Sequence, residues 1–274
     1  MLTSLQKFAT EIRIQEMEEF TARGFGHVGG SLSITDCLAV LYSGVMKIDP
    51  KNPQCEERDR LVMSKGHAGP ALYATLALKG YFPVEMLKTL NQDGTHLPSH
   101  CDKNLTPGID MTTGSLGQGA STAAGMALGF KLSGKPNRVY LILGDGECDE
   151  GQVWEMAMFA HHHRLGNLIA FVDYNKKQLD DTCEAVCESL DFVKKFDSFG
   201  WYSQKVNGND PDAILAAIKD AQKNQGDLPA MIVLDTVKGY GVKEVAETEL
   251  NHSMNLKPGQ GDAFIAELKE QLEK

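Results

Sequence analysis

The sequence lacks any arrangement of its cysteines as a framework. Six cysteines in 274 residues, at Cys37, Cys55, Cys101, Cys148, Cys183 and Cys187, include no CxxC pair and lack the density of a disulfide scaffold. They read as reduced thiols; Cys183 and Cys187 have a metal-pair spacing, but no second Cys/His pair follows them. Basic stripes are also missing. With 27 Lys and Arg against 37 Asp and Glu, the net charge is -10 and the lysines are scattered, a distribution that repels a phosphate backbone and excludes nucleic acid as a partner. No apolar run approaches the roughly 18 residues of a bilayer span. The N-terminus also lacks the basic-then-apolar order of a signal peptide, so a cytoplasmic protein with no membrane partner is expected. No low-complexity tract or compositional break marks a linker, and residues 1–274 are expected to form a single domain.

What the sequence does have is an alternation of two periodicities. Residues 2–22 carry Leu5, Phe8, Ile12, Met17 and Phe20 among charges, near the helical period. After a glycine-rich stretch at 24–30, Ser33 or Thr35 is expected to cap a second helix running through Leu41. Further helices are expected over 71–79, closed by Gly80, and over 116–132, 149–164, 190–199, 212–223 and 262–272. Strands are expected over 60–64, 138–143, 168–173, 201–206 and 230–235. Residues 91–110, with three Pro/Gly-containing turns and no periodicity, read as a long functional loop. Strands alternating with helices imply an α/β fold, a three-layer sandwich around a mostly parallel central sheet. Ligands in such sheets bind beyond the carboxyl ends of the strands.

The most informative stretch is Gly144-Asp145-Gly146-Glu147-Cys148-Asp149-Glu150-Gly151, with Asn175 thirty positions after Asp145. Both residues follow expected strands, so neighbouring strands would bring a carboxylate and an amide oxygen to one point above the sheet. Hard oxygen donors select Mg²⁺ or Ca²⁺. Mg²⁺ fills its octahedron with phosphate oxygens and water, so one carboxylate, one amide and one backbone carbonyl imply a diphosphate. The glycines beside Asp145 let the backbone approach that ligand, and the following helix offers free N–H groups.

In these residues the chain resembles thiamine-diphosphate enzymes. Gly144-Asp145-Gly146, Glu150-Gly151 and Asn175 are similar to the motif in which Asp, Asn and the carbonyl two residues past the Asn hold the metal. Carried over, the ligands are Asp145, Asn175 and the backbone oxygen of Lys177, for Mg²⁺ with Ca²⁺ or Mn²⁺ as substitutes. Ser64-Lys65-Gly66-His67 and Thr113-Gly114-Ser115-Leu116-Gly117-Gln118-Gly119 are similar to transketolases in particular, and the likeness runs from about residue 24 to 255. The resemblance implies the N-terminal, thiamine-diphosphate-binding subunit of a split transketolase, which moves a two-carbon ketol unit from a ketose or ketose phosphate to an aldose. It also implies a partner chain with the pyrimidine-binding and C-terminal domains, where the glutamate acting on the aminopyrimidine and most sugar-phosphate contacts lie. Two copies of each chain are expected.

His27, His67, His100 and His252 stand in Gly/Pro-rich segments or loops and can converge on one site, where imidazoles bind hydroxyls or oxyanions. By the resemblance, His27, His67 and His100 contact the donor and move hydroxyl protons, with His67 also at the cofactor. His252 departs from the family's His-Gly by preceding Ser253. Gly114, Leu116 and Gly117 are implied to line the cofactor's rings, Gly144 and Gly146 its diphosphate, and Gln178 to lie beside it. Glu150 is implied to link active sites across a dimer. The run His161-His162-His163 cannot converge on one ion, because adjacent helical residues point about 100° apart. Asp173, Asp180 and Asp181 are expected to be solvated or turn-forming, and Trp154 and Met156 to pack in the core. Two other assignments stay open here: a subunit of a 2-oxo acid dehydrogenase α-like or deoxyxylulose-phosphate-synthase-like enzyme, and a catalytically silent regulatory subunit.

Overall fold

A computed structural model describes residues 2–273. Helix α1 (Ser4–Arg23) starts at a reciprocal cap: Thr3 Oγ1 accepts from Gln6 N at 3.3 Å and Gln6 Oε1 accepts from Thr3 N at 2.9 Å. Gly24, at φ +85°, ends it. Short strand β1 (Phe25–Gly26) leads into α2 (Val28–Val40). Then come β2 (Arg60–Met63), α3 (Gly69–Leu78), α4 (Gln118–Leu132), β3 (Val139–Gly144), α5 (Gly151–His162) and β4 (Leu168–Tyr174). The chain continues through α6 (Cys183–Val186), α7 (Phe192–Ser198), β5 (Tyr202–Asn207), α8 (Pro211–Asn224), β6 (Ala230–Asp235), α9 (Lys243–Glu247), β7 (Met254–Asn255) and α10 (Gln260–Leu272). Strands β2-β3-β4-β6-β5 form one parallel sheet in that order, while β7 pairs antiparallel with β1.

Successive strand residues face opposite sides. Tyr140, Ile142, Ile169, Phe171 and Ile232 pack with α1, α2, α3, α8 and α10. Leu141, Leu143, Ala170, Val172 and Val233 pack with α4, α5 and α7. Both faces of the sheet are therefore covered, and the architecture is the expected three-layer α/β sandwich. Residues 91–110 contain no helix or strand.

Two expectations give way. The second helix starts at Val28 with His27 at its N-cap, and Ser33 and Thr35 lie fully buried inside it instead of capping it. Their hydroxyls bond the Gly30 and Ser31 carbonyls and carboxylates on other elements. Gly29 and Gly30 enter the helix because of tertiary packing: a Cβ on Gly29 would meet the Asn251 carbonyl oxygen at 2.4 Å. Gly29 N also donates to that oxygen at 3.0 Å, and tertiary contacts of this kind offset the roughly 1 kcal/mol helix penalty of glycine. The second revision concerns hydropathy. Val28–Val45 is an 18-residue segment of mean hydropathy 1.3, longer than any apolar run expected, and 83% of it is buried as the central helix of one layer.

Helix α1 also carries acid into the core. Glu16 and Glu19 are wholly buried; Thr35 donates to Glu16 Oε1 at 2.6 Å, while Glu16 Oε2 and both Glu19 oxygens have no hydrogen-bond partner among the described residues. Burial, offset in part by Thr35 and Arg13, pushes Glu16 up to about 7. Burial and the neighbouring Glu16 push Glu19 well above the ordinary range. The folded chain thus holds protons that the unfolded chain releases near 4.5. Their stabilisation is complete below pH 4.5 and is lost as pH rises through the raised folded-state values, about 7 for Glu16 and well above the ordinary range for Glu19. Each group costs about 1.4 kcal/mol per pH unit in its window. The double variant Glu16→Gln/Glu19→Gln is expected to melt level with wild type near pH 4.5 and several degrees higher near pH 8. Thermal unfolding followed by circular dichroism checks this; a variant that melts lower at both pH values contradicts it.

Candidate active site

The pairing of β3 with β4 sets Gly144 opposite Asp173, so the turns that follow the two strands are neighbours. The first carries Asp145, 2% exposed, whose Oδ1 accepts from Gly146 N at 2.9 Å and Oδ2 from Lys176 N at 2.6 Å. The second carries Asn175, 7% exposed, whose Oδ1 accepts from Lys177 N at 3.2 Å and whose Nδ2 donates to Asp173 at 3.1 Å. Both open on a cavity of about 340 Å³ that also holds Lys65, Gly114, Leu116, Gly144, Gly146, Glu147, Lys177, Gln178, Leu179, Lys238 and Ser253. The Lys177 carbonyl accepts from Lys238 Nζ at 2.8 Å.

The four histidines meet on this cavity from four separate segments. Ring centroids lie 5.7 Å apart for His27 and His67, 5.3 Å for His27 and His100, 5.4 Å for His27 and His252, and 4.7 Å for His67 and His252. Burial lowers all four, with help from neighbouring positive or potentially positive groups at three: His27 falls to about 4, His252 to about 3, His67 well below its ordinary value, and His100 less far. The imidazoles are therefore neutral at physiological pH. His252 Nδ1 lies 3.2 Å from Lys238 Nζ. An ammonium only donates, so Nδ1 accepts and Nε2 carries the ring proton. Burial and the Lys65 charge bring Lys238 itself down to about 8, so it is still mainly an ammonium at neutral pH.

Gly117 and Glu150 do not line the cavity. Gly117 N donates to Glu147 Oε1 at 2.8 Å behind its wall, and Glu150 is exposed at the N-cap of α5. Sequence reasoning missed four residues. Glu147 accepts from Ser64 Oγ, from Gly117 N and, at 3.0 Å, from Gly144 N, tying three loops together. Lys65 stands inside a quoted motif without a role, and Lys238 in no motif at all. Asp173, expected to be solvated or turn-forming, is wholly buried and ion-paired with Lys65. Burial alone would raise its carboxyl, but the Lys65 ammonium and the Ser33 and Thr236 hydroxyls hold it below the ordinary range.

Elsewhere, His161 Nδ1 lies 2.9 Å from the Gly200 carbonyl oxygen and is structural. Met156 is buried and Trp154 partly so, Asp180 and Asp181 are exposed, and all six cysteines are free. Among the described residues no group of three His, Cys, Asp or Glu side chains is placed to hold a metal by itself, and of the cysteine pair Cys183 is buried while Cys187 is exposed. A second cleft of about 380 Å³, beside Arg13, Asp36 and Tyr240, has its charged pair satisfied internally.

The residues present fit a divalent cation with a diphosphate. A carboxylate, an amide oxygen and a backbone carbonyl are hard donors. Burial and the adjacent Asp173 also push Asp145 up to about 6, so its carboxylate is short of positive charge. In the chain as it stands, the neutral histidines give a direct check: NMR titration of the imidazoles is expected to show midpoints near 4 for His27 and near 3 for His252. Midpoints at or above the ordinary value of about 6.5 would contradict the buried, cation-flanked cluster.

Comparison with known proteins agrees with this geometry. The family described as transketolase, thiamine diphosphate binding domain, matches residues 4–273. The chain is 53% identical to the 6-deoxy-6-sulfo-D-fructose transketolase subunit SqwG of Clostridium sp. (strain MSTE9), over 97% of each chain. It is 34% identical to an apulose-4-phosphate transketolase subunit of Phocaeicola vulgatus, over 91% of this chain and 88% of that one. A solved transketolase variant from Pichia stipitis superposes with a TM-score of 0.90 at 33% identity, over 99% of this chain and 41% of the other. The chain therefore spans less than half the length of the solved transketolases it matches. By fold, motif order and identity over nearly its whole length, the chain belongs to the transketolase family, as its thiamine-diphosphate-binding domain.

Proposed function

We propose that the chain is the cofactor-binding subunit of a two-chain transketolase. The partner carries the pyrimidine-binding and C-terminal domains, the assembly is a heterotetramer with two of each chain, and it works in the cytoplasm. One observation carries the reading: Asp145, Asn175 and four histidines meet on a single cavity at the carboxyl edge of the sheet. Coverage supports the partner, because a relative matched over 97% of its length is named a subunit, while human transketolase is matched over 43% of its length. Exposed apolar side chains support it too. Leu179 and Leu250, 61% and 62% exposed, follow β4 and β6, as do Val186, Leu190, Val237 and Tyr240. Leu179 lines the cavity itself, so apolar surface beside the site is open to a docked partner.

Asp145, Asn175 and the Lys177 carbonyl would hold Mg²⁺, or Ca²⁺ or Mn²⁺ in its place, and through it the diphosphate of thiamine diphosphate. Lys65 and Lys238 add positive charge on the same wall. Gly114, Leu116 and Gln178 would border the cofactor. Thiamine diphosphate supplies the electron sink that lets a C–C bond beside a ketose carbonyl break and re-form. His252 Nε2 offers a proton to a sugar oxygen, and neutral His27, His67 and His100 bind hydroxyls and accept their protons. The donor we assign is a ketose with an anionic tail, with 6-deoxy-6-sulfo-D-fructose first, the sugar named for a relative at 53% identity.

The chain purified with its partner is expected to transfer two carbons from 6-deoxy-6-sulfo-D-fructose to an aldose, faster than from fructose 6-phosphate. The chain alone is expected to be inactive, and pyruvate not to serve as donor. Asp145→Ala should lower turnover of the pair by roughly two orders of magnitude or more. Turnover of 2-oxo acids in place of ketoses would move the chain to the dehydrogenase-type enzymes. A pair unaffected by Asp145→Ala would make this chain catalytically silent.

A further inference from the structure

Beneath the two turns lies a carboxylate that borders neither the cavity nor solvent. Asp173 is wholly buried, and four side chains from four segments converge on it. Ser33 Oγ, on α2, donates at 2.6 Å. Asn175 Nδ2, after β4, donates at 3.1 Å. Lys65 Nζ, after β2, and Thr236 Oγ1, after β6, complete the shell. The Asp173 carbonyl also accepts from Asp145 N at 3.3 Å, so one residue touches both turns of the site. Lys65 Nζ donates as well to the Gly30 carbonyl at 2.8 Å, joining this group to the segment that presents His27.

A primary amide has an oxygen end and a nitrogen end of nearly equal shape. Packing alone does not choose which end faces a cation; the hydrogen-bond partners do. A carboxylate paired with an ammonium only accepts, so Asp173 takes the Asn175 NH₂ group. The Asn175 oxygen is then the end left for a cation, and among the described residues its one donor is Lys177 N at 3.2 Å. We propose that Asp173 is a positioning residue that fixes the Asn175 amide with its oxygen toward the cation site, and that Lys65 is the counter-charge that holds Asp173 in place. This deepens the cation assignment of Asp145 and Asn175 and rests on it. Partners that orient metal ligands in this way are commonly worth 10–100-fold in affinity.

Asp173→Asn tests the idea, because an asparagine can donate to the Asn175 oxygen and let that amide turn over. Thiamine diphosphate binding to the complex of the chain with its partner is measured by calorimetry while Mg²⁺ is titrated, with the melting temperature recorded for each variant. In Asp173→Asn the Mg²⁺ concentration at half-saturation is expected to rise by roughly 10–100-fold. Thr236→Val removes one donor from Asp173 but leaves it an acceptor, so its half-saturation is expected to stay within about twofold of wild type even where its melting temperature falls. Asp173→Asn also leaves the Lys65 ammonium without its partner. The same titration is therefore made on Lys65→Gln and Lys65→Gln/Asp173→Asn, where no ammonium is left unpaired; Lys65→Gln alone is expected to raise the Mg²⁺ requirement because Asp173 is no longer held, and the double variant to need at least as much. An unchanged Mg²⁺ requirement in the Asp173 variants, or an equal rise in Thr236→Val, overturns the proposal. Wild-type binding that needs no divalent cation instead overturns the cation assignment itself, a separate outcome read from the unmutated complex.

Discussion

Parallel pairing of β3 with β4, with Gly144 opposite Asp173, is the constraint on which the rest of the structure depends. Each strand is apolar on both faces and locked between helical layers, so a slip by one residue would exchange the side chains fitted to one layer for those fitted to the other. The register then fixes the turns after both strands beside each other. The oxygen donors of Asp145 and Asn175 share a cavity because this register sets the two strand ends side by side. The chemistry at the carboxyl edge is held in place by the core beneath it.

Buried polar groups complete that arrangement. The site is bound together by charges drawn from distant parts of the chain: Lys65 with Asp173, Glu147 with Ser64 and the Gly117 and Gly144 amides, and Lys238 with the Lys177 carbonyl. These groups also explain how an acidic chain of net charge -10 can receive a diphosphate. Surface charges more than about 10 Å away are screened, whereas Lys65 and Lys238 stand on the cavity wall with Asp145 and Asn175. Local charge decides what the cavity accepts.

Much of this was legible in the sequence. The strands that became β3, β4 and β6 announced themselves as apolar runs, and Asp145 and Asn175 as polar residues directly behind two of them. The four histidines stood out because they sat in Gly/Pro-rich segments and loops, where a core role was least natural. What stayed hidden shares one physical character: it depends on contacts that no local pattern encodes. Lys65 and Asp173 are 108 residues apart and pair only once β2 and β4 are in the same sheet. Ser33 and Thr35 looked like caps because Gly29 and Gly30 argue against a helix, until Asn251 packs against Gly29. Glu16 and Glu19 are among the charges interleaved with the apolar positions of residues 2–22, yet α1 is covered by α2, α3 and α10 and buries both. Local periodicity reveals the layers and the strand ends; it does not reveal which polar groups the layers enclose.

The central claim is that one divalent ion sits between the turns after β3 and β4. Anomalous diffraction from crystals of the complex with its partner, grown with thiamine diphosphate and Mn²⁺, measures this most directly. The account predicts one anomalous peak per copy of this chain, roughly 2.1 Å from a carboxylate oxygen of Asp145 and from Asn175 Oδ1. A peak elsewhere, or the Asn175 amide nitrogen turned to the ion, would contradict it.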